Sequence, residues 1–60
     1  MIVIFDIGGT NFRYFLFKEC VVVKNYINKV SKNVLDQIIF HLNKLSETYD
    51  IDCIKVSIAG

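Results

Sequence analysis

The sequence lacks several features that are typical of other classes of protein. Its 60 residues include no proline and no tryptophan. Seven Lys or Arg against six Asp or Glu give a net charge of +1, and these charges are scattered, without a basic run or an acidic tail. A nucleic-acid-binding surface needs clustered basic residues. The composition therefore argues against DNA, RNA and anionic membranes as partners.

Cysteine is also scarce. Cys20 and Cys53 lie far apart in apolar, strand-like stretches, without CxxC or metal-ligand spacing. We expect packed, reduced thiols and no disulfide, as in a cytosolic protein. The N-terminal apolar run has no basic residues before it and is interrupted at Asp6, and no run approaches the ~20 apolar residues that a membrane span requires. No targeting or transmembrane segment is indicated, and a cytoplasmic location is expected.

Apolar side chains, by contrast, are abundant. Hydrophobic residues make up 53% of the chain and aromatic residues 13%, which is too apolar for a disordered segment. A chain this short buries only ~60% of the surface that it exposes when unfolded. We therefore expect some of its apolar surface to meet further protein, with the chain forming one layer of a larger fold.

Alternating patterns predict four strands. Ile2 to Phe5 is a β-branched and aromatic run typical of a strand buried on both faces. A turn follows at Gly8 to Asn11, where glycines can take positive φ, and Phe12 to Lys18 then alternates as an antiparallel second strand. A third strand is predicted from Cys20 to Ile27, after a turn without Gly or Asn whose type stays open. Cys53 to Ile58 is the predicted fourth strand.

A change of hydrophobic period from 2 to 3.6 predicts one helix, from Lys32 to about Tyr49, with Ser31 as its N-cap. His41 lies on the flank of its apolar stripe, where a partly buried, hydrogen-bonded histidine is favoured over a catalytic one. The stripe itself consists of Val34, Leu35, Ile38, Leu42, Leu45 and Tyr49.

The element order βββαβ predicts an α/β fold with a mixed sheet. A helix between two strands of one sheet forms a crossover, which places the fourth strand parallel to the first. The predicted strand order is 3-2-1-4, with the helix packed on one face. A single helix leaves at least one apolar face of the sheet open, so we expect the 60 residues alone to self-associate or to fold poorly.

The segment from Asp6 to Arg13 is where the sequence indicates chemistry. A carboxylate stands at the end of a buried strand, two glycines and a threonine follow, and the next strand carries an arginine. Backbone N–H groups that converge in such a turn form an anion-binding concavity. Since like charges repel, Asp6 suits a phosphate site only if a divalent cation lies between them, and Mg²⁺ often keeps several waters there.

Two other phosphate-binding motifs do not describe this segment. The segment contains neither GxxxxGK[ST] nor GxGxxG. Both of those motifs open a helix, whereas the residues after Gly9 alternate like a strand. An ordinary hairpin turn also uses Asp, Gly and Asn, so the two glycines alone do not distinguish a phosphate site from a plain turn.

The full string DIGGTNFR resembles the first phosphate motif of the sugar kinase, Hsp70 and actin superfamily, and most closely that of hexokinases and glucokinases. The resemblance extends loosely over all 60 residues, and the ending Ser57-Ile58-Ala59-Gly60 resembles the glucokinase stretch in which the fourth strand runs into a glycine- or proline-containing loop. It implies an RNase H-like (actin-like ATPase) half-lobe, ATP with Mg²⁺ as cofactors, and transfer of the γ-phosphate to a hydroxyl of a hexose.

The resemblance also implies roles for individual residues. Asp6 would act on the Mg²⁺ side of ATP through water, and Gly8, Gly9 and Thr10 would wrap the β- and γ-phosphates. Arg13 would either support the phosphate site electrostatically or anchor the hairpin through an ion pair. Asn11 would shape the turn or reach the phosphates.

In the family, the catalytic base, the sugar-binding residues and the second phosphate motif lie further along than Gly60. We therefore expect an N-terminal segment of a kinase whose partners are a hexose and the rest of the kinase chain, and no sugar phosphorylation by these 60 residues alone. One alternative is another enzyme of the same superfamily, such as an N-acetylhexosamine or other ROK-type kinase, or an acetate-kinase-like or BadF-like ATPase. The others are a non-catalytic ROK-type sugar-responsive regulator and an ATPase related to actin or Hsp70.

Overall fold

A computed structural model describes residues 1–59 of the chain. Within them lie four strands and one helix: β1 (Ile2–Ile7), β2 (Asn11–Lys18), β3 (Val21–Lys29), α1 (Val34–Thr48) and β4 (Cys53–Ile58). The strands form one sheet in the order β3-β2-β1-β4, with β2 antiparallel to β1 and β3, and β4 parallel to β1. The predicted α/β class, strand order and crossover are confirmed.

Strand β1 is two residues longer than predicted. Asp6 pairs with Arg13 and Ile7 pairs with Phe12, so the ladder continues to the edge of the turn. The carboxylate of Asp6 does not end the strand because its side chain lies on the face away from the helix, where it is exposed. Ile7 points to the opposite face and is buried.

The core lies between the helix and one face of the two central strands. Alternate residues of β1 and β2 are buried there, and two helix residues cover them. Phe5 forms the centre of the aromatic part, with its ring 5.7 Å from that of Phe12 and 5.8 Å from that of Tyr14. The buried residues are Val3, Phe5, Ile7, Phe12, Tyr14, Leu16, Ile38 and Leu45.

The helix begins later than predicted, and its cap is a different residue. Asn33, not Ser31, is the N-cap: its side chain accepts a hydrogen bond from the Asp36 N–H at 3.2 Å. Ser31 Oγ instead accepts a hydrogen bond from the Asn33 N–H, also at 3.2 Å. Ser31 therefore holds the cap residue and does not cap the helix itself. The helix ends at Thr48, with Tyr49 as its C-cap.

One member of the predicted apolar stripe is not part of the core. Leu35 is 64% exposed, while Val34, Leu42 and Tyr49 are half-buried against the core. At 100° per residue, Leu35 and Ile39 lie on the flank of α1 opposite to His41, which packs against Tyr26 of β3. This flank therefore faces the β4 side of the sheet, where the helix leaves Ile54, Val56 and Ile58 exposed.

The turn from β2 to β3 has the φ pattern of a type I′ hairpin turn. Lys18 pairs with Val21, and the two residues between them, Glu19 and Cys20, have φ values of 51° and 65°. Cys20 is thus a turn residue, not the start of the third strand as predicted. Cys20 and Cys53 are both free, as expected, but both are exposed, contrary to the prediction that they are packed.

The face of the sheet away from the helix carries a row of partly uncovered apolar residues. Among these, Ile27 is 57% exposed, and the rings of Phe15 and Phe17 pack against each other at 6.4 Å. Residues 1–59 place no element over this face. No helix in the described part of the chain is long and apolar enough to cross a membrane.

Candidate functional site

The turn between β1 and β2 is tight and is tied down at both sides. The Gly8 N–H donates to the Asn11 carbonyl at 2.9 Å, which leaves Gly9 and Thr10 at the tip. The Thr10 carbonyl accepts from the Val30 N–H at 3.0 Å, which joins the tip to the chain just after β3. The tip is therefore exposed but held by hydrogen bonds to the start of β2 and to the residue that follows β3.

Neither glycine in this turn is required by the fold itself. Both have φ outside the positive range, so the predicted use of glycine for positive φ is wrong here. A Cβ added at Gly9 would meet nothing within 4 Å, and one at Gly8 would make only an ordinary contact of 3.8 Å with the Asn11 carbonyl oxygen. The backbone shape and the surroundings of the tip would both accept alanine.

The tip also presents unused hydrogen-bond donors. Among residues 1–59, neither the Gly9 N–H nor the Thr10 N–H donates to a backbone group or to a side chain. The two groups are adjacent in the chain and belong to exposed residues. Adjacent backbone amides without protein partners, flanked by glycine, suit the close approach of an anion.

Two charged side chains lie directly behind the tip. Asp6 and Arg13 are register partners on β1 and β2 and share the face away from the helix. Asp6 is exposed and Arg13 is half-buried. The described part of the chain contains one salt bridge, from the Met1 ammonium to Asp52, so Arg13 makes no ion pair there. Two roles were predicted for Arg13, and the ion pair that one of them requires, to anchor the hairpin, is absent from residues 1–59.

The site residues predicted from the sequence thus come together. Gly8, Gly9, Thr10 and Asn11 form the turn, and Asp6 and Arg13 lie one pair back along the ladder from Ile7 and Phe12. Sequence reasoning missed Ser57, which is the register partner of Asp6 on the other side of β1. No local sequence pattern gives this pairing, because it depends on the register of residues 51 apart. Gly60, part of the resemblance at the end of β4, lies outside the described residues.

This arrangement suits a divalent cation that keeps most of its water ligands. Asp6 is a single exposed carboxylate, and residues 1–59 contain no group of three or more His, Cys, Asp or Glu side chains that could hold a metal ion. Mg²⁺ commonly takes one carboxylate, several waters and phosphate oxygens. Asp6 suits that mode, with phosphate at the tip supplying the remaining ligands.

His41 does not belong to this site. Its ring lies 4.6 Å from that of Tyr26 and stacks on Phe12 at 5.2 Å, within an aromatic surround on the helix side of the sheet. No hydrogen bond to its ring occurs within residues 1–59, so the prediction of a partly buried histidine is confirmed and that of a hydrogen-bonded one is wrong. Burial and the charge of Lys24 lower the pKa of His41 below its ordinary value of 6.5.

A concavity of about 830 Å³ lies at the opposite end of the sheet from the tip. Its walls come from the start of β1, the end of β2 and the residues after α1. Asp52 on its rim is already bound to the Met1 ammonium. It includes none of the residues from Asp6 to Arg13.

No protein-family model matches the sequence, and no curated protein matches it.

Proposed function

We propose that this chain is the ATP-binding N-terminal segment of a hexose kinase of the hexokinase and glucokinase type, built as an RNase H-like half-lobe. Its β1–β2 turn would bind the β- and γ-phosphates of Mg·ATP, and a hydroxyl of a hexose would receive the γ-phosphate. A cytoplasmic location and assembly with the rest of a kinase chain belong to the same proposal.

The observation that carries the proposal is the mismatch between the turn and the needs of the fold. Two consecutive glycines occupy positions where neither φ nor crowding calls for them. The amides of Gly9 and Thr10 have no partner within residues 1–59. A plain turn would be as stable with side chains at both positions, whereas a phosphate held against the backbone needs the space that they would occupy.

The charged pair behind the turn supports the same function. Bound Mg²⁺ would neutralise charge on the phosphates as it develops during phosphoryl transfer. Asp6 would hold the hydrated ion through its waters, and Arg13 would offset phosphate charge from the neighbouring strand. Since Arg13 makes no ion pair in the described chain, its guanidinium is available for a phosphate oxygen.

Binding of Mg·ATP to Gly9→Val tests the proposal. The open surroundings of Gly9 predict that this variant folds as well as wild type, which urea unfolding checks. The valine side chain would nonetheless cover the backbone that phosphate approaches, so affinity measured by calorimetry should fall at least tenfold. Ser46→Val, on the exposed face of α1, is the control for added bulk. Equal affinities of wild type and Gly9→Val would reduce the turn to a structural one.

A further inference from the structure

Besides β1 and β2, strand β4 also reaches the candidate site, through Ser57. Ser57 is the register partner of Asp6 in the parallel β1–β4 pair, as Arg13 is in the antiparallel β1–β2 pair. Directly opposed residues on neighbouring strands point to the same face, with strands about 4.8 Å apart. Arg13, Asp6 and Ser57 therefore form a row across three strands on the face away from the helix.

Ser57 has no structural task that the chain reveals. Its side chain is exposed, and within residues 1–59 its hydroxyl makes no hydrogen bond, not even to the neighbouring Asp6 carboxylate. The carboxyl ends of β1 and β4 meet at the same edge of the sheet, which is where ligands of open α/β sheets bind. The hydroxyl is thus a second oxygen beside Asp6 that is available to a ligand.

The negative charge of Asp6 determines which part of a ligand can lie next to the oxygens of Asp6 and Ser57. A phosphate placed directly against the carboxylate would be repelled, whereas a cation would be attracted. Phosphate therefore belongs at the turn amides and on the Arg13 side, and the cation belongs on the Asp6–Ser57 side. Hydrated Mg²⁺ offers water hydrogens, which both a carboxylate and a hydroxyl oxygen accept.

We propose that Ser57 is a metal-positioning residue, whose hydroxyl oxygen and the Asp6 carboxylate together accept hydrogen bonds from the water shell of the Mg²⁺ carried by ATP. This inference rests on the proposed function. It predicts that Ser57 contributes to binding only when the metal is present, since metal-free ATP brings no such water shell to β4.

Calorimetric titration of the 60-residue chain with ATP, with Mg²⁺ or with EDTA, tests the metal dependence. One hydrogen bond is worth about fivefold in affinity. Ser57→Ala should therefore weaken binding of Mg·ATP about fivefold and leave metal-free ATP unchanged, and Ser57→Thr should restore the wild-type value. Ser46→Ala, the same change on the exposed helix face, should have no effect in either titration.

Replacement of Mg²⁺ by Mn²⁺ locates the metal directly. In amide spectra of the chain with ATP, paramagnetic broadening should be strongest at Asp6 and Ser57 and weaker at Lys29 on β3. The inference would be overturned by broadening that spares Ser57. It would also be overturned if Ser57→Ala lost affinity for Mg·ATP and for metal-free ATP equally. If Gly9→Val abolishes ATP binding while Ser57→Ala binds Mg·ATP like wild type, the inference falls and the proposed function stands. If wild type binds no ATP with or without metal, both fall.

Discussion

His41 is the residue whose environment gives the molecule a defined response to acid. Its ring is enclosed by aromatic side chains, and burial and Lys24 lower its folded-state pKa below 6.5. The unfolded chain then binds the proton more readily than the folded chain as pH falls through 6.5. The stability linked to His41 is present above that pH and is lost as pH falls towards the folded-state pKa.

Urea unfolding at pH 7.5 and pH 5 checks this response. We expect wild type to be less stable at pH 5, and His41→Gln to lose most of that difference because glutamine does not titrate. A pH dependence that is the same in His41→Gln would place the effect elsewhere.

The residues of the candidate site follow from the sequence, but the reason for their glycines does not. The string from Asp6 to Arg13 locates the turn and the charged pair, because a strand, a glycine pair and a second strand define a hairpin locally. Positive φ is the usual reason for glycine in turns, and here it does not apply. The partnership of Asp6 with Ser57 depends on the register of residues 51 apart, which no local pattern encodes.

At the scale of single elements, the β2–β3 turn has a sequence that does not suit its conformation. A type I′ turn favours Asn-Gly, and here Glu19 and Cys20 take the left-handed conformation instead. The double variant Glu19→Asn, Cys20→Gly should therefore stabilise the chain by about 1 kcal/mol, seen as a higher urea midpoint. Val21→Gly, in the adjoining strand, should destabilise it. A lower midpoint for the double variant would contradict the φ values.

The helix cap gives a second prediction at this scale. Because the Asn33 side chain accepts from the first turn of α1, Asn33→Ala should cost about 1 kcal/mol of folding free energy. Asn33→Asp should retain the cap and most of the stability. Ser31→Ala should cost less, since the Ser31 hydroxyl accepts only from the N–H of the cap residue, and the Ser31 N–H keeps its hydrogen bond to Gln37 in the variant. Chemical denaturation of the three variants decides, and a larger loss in Ser31→Ala would restore Ser31 as the cap.

Element types are predictable here because the hydrophobic period changes sharply between strands and helix, while element ends depend on hydrogen bonds that several residues can make. Ser31 and Asn33 are both good cap residues, and the structure uses both in series. The type of the β2–β3 turn does not follow from its sequence, which lacks the residues that this turn type prefers. The pairing of the long flanking strands sets its shape.

At the scale of the whole molecule, the open sheet face should drive self-association. Ile27 is 57% exposed on that face, and Leu35, 64% exposed, lies on the helix flank on the other side of the sheet. We expect sedimentation to show association that grows with concentration and falls in Ile27→Lys. Leu35→Lys is the matched control, with the same substitution at similar exposure. A monomeric wild type, or association that only Leu35→Lys reduces, would contradict the role of the open face.

The strand order 3-2-1-4 was predictable because one helix between two strands leaves few arrangements of the sheet. How far the helix covers that sheet was not. The position of α1 over β1 and β2 leaves the helix-side face of β4 uncovered, and this follows from packing of Ile38 and Leu45 onto the central strands. The sequence shows which side chains are apolar, but not which of them a single helix can reach.

Amide chemical-shift mapping of the 60-residue chain with Mg·ATP tests the central claim, that the β1–β2 turn binds phosphate through its backbone. The largest shifts should occur at Gly9 and Thr10, the two amides without partners in residues 1–59, with smaller shifts at Asp6 and Arg13. If the chain associates, the Ile27→Lys variant serves for the titration. No shifts at the turn, or shifts confined to the cavity at the opposite end of the sheet, would contradict the account.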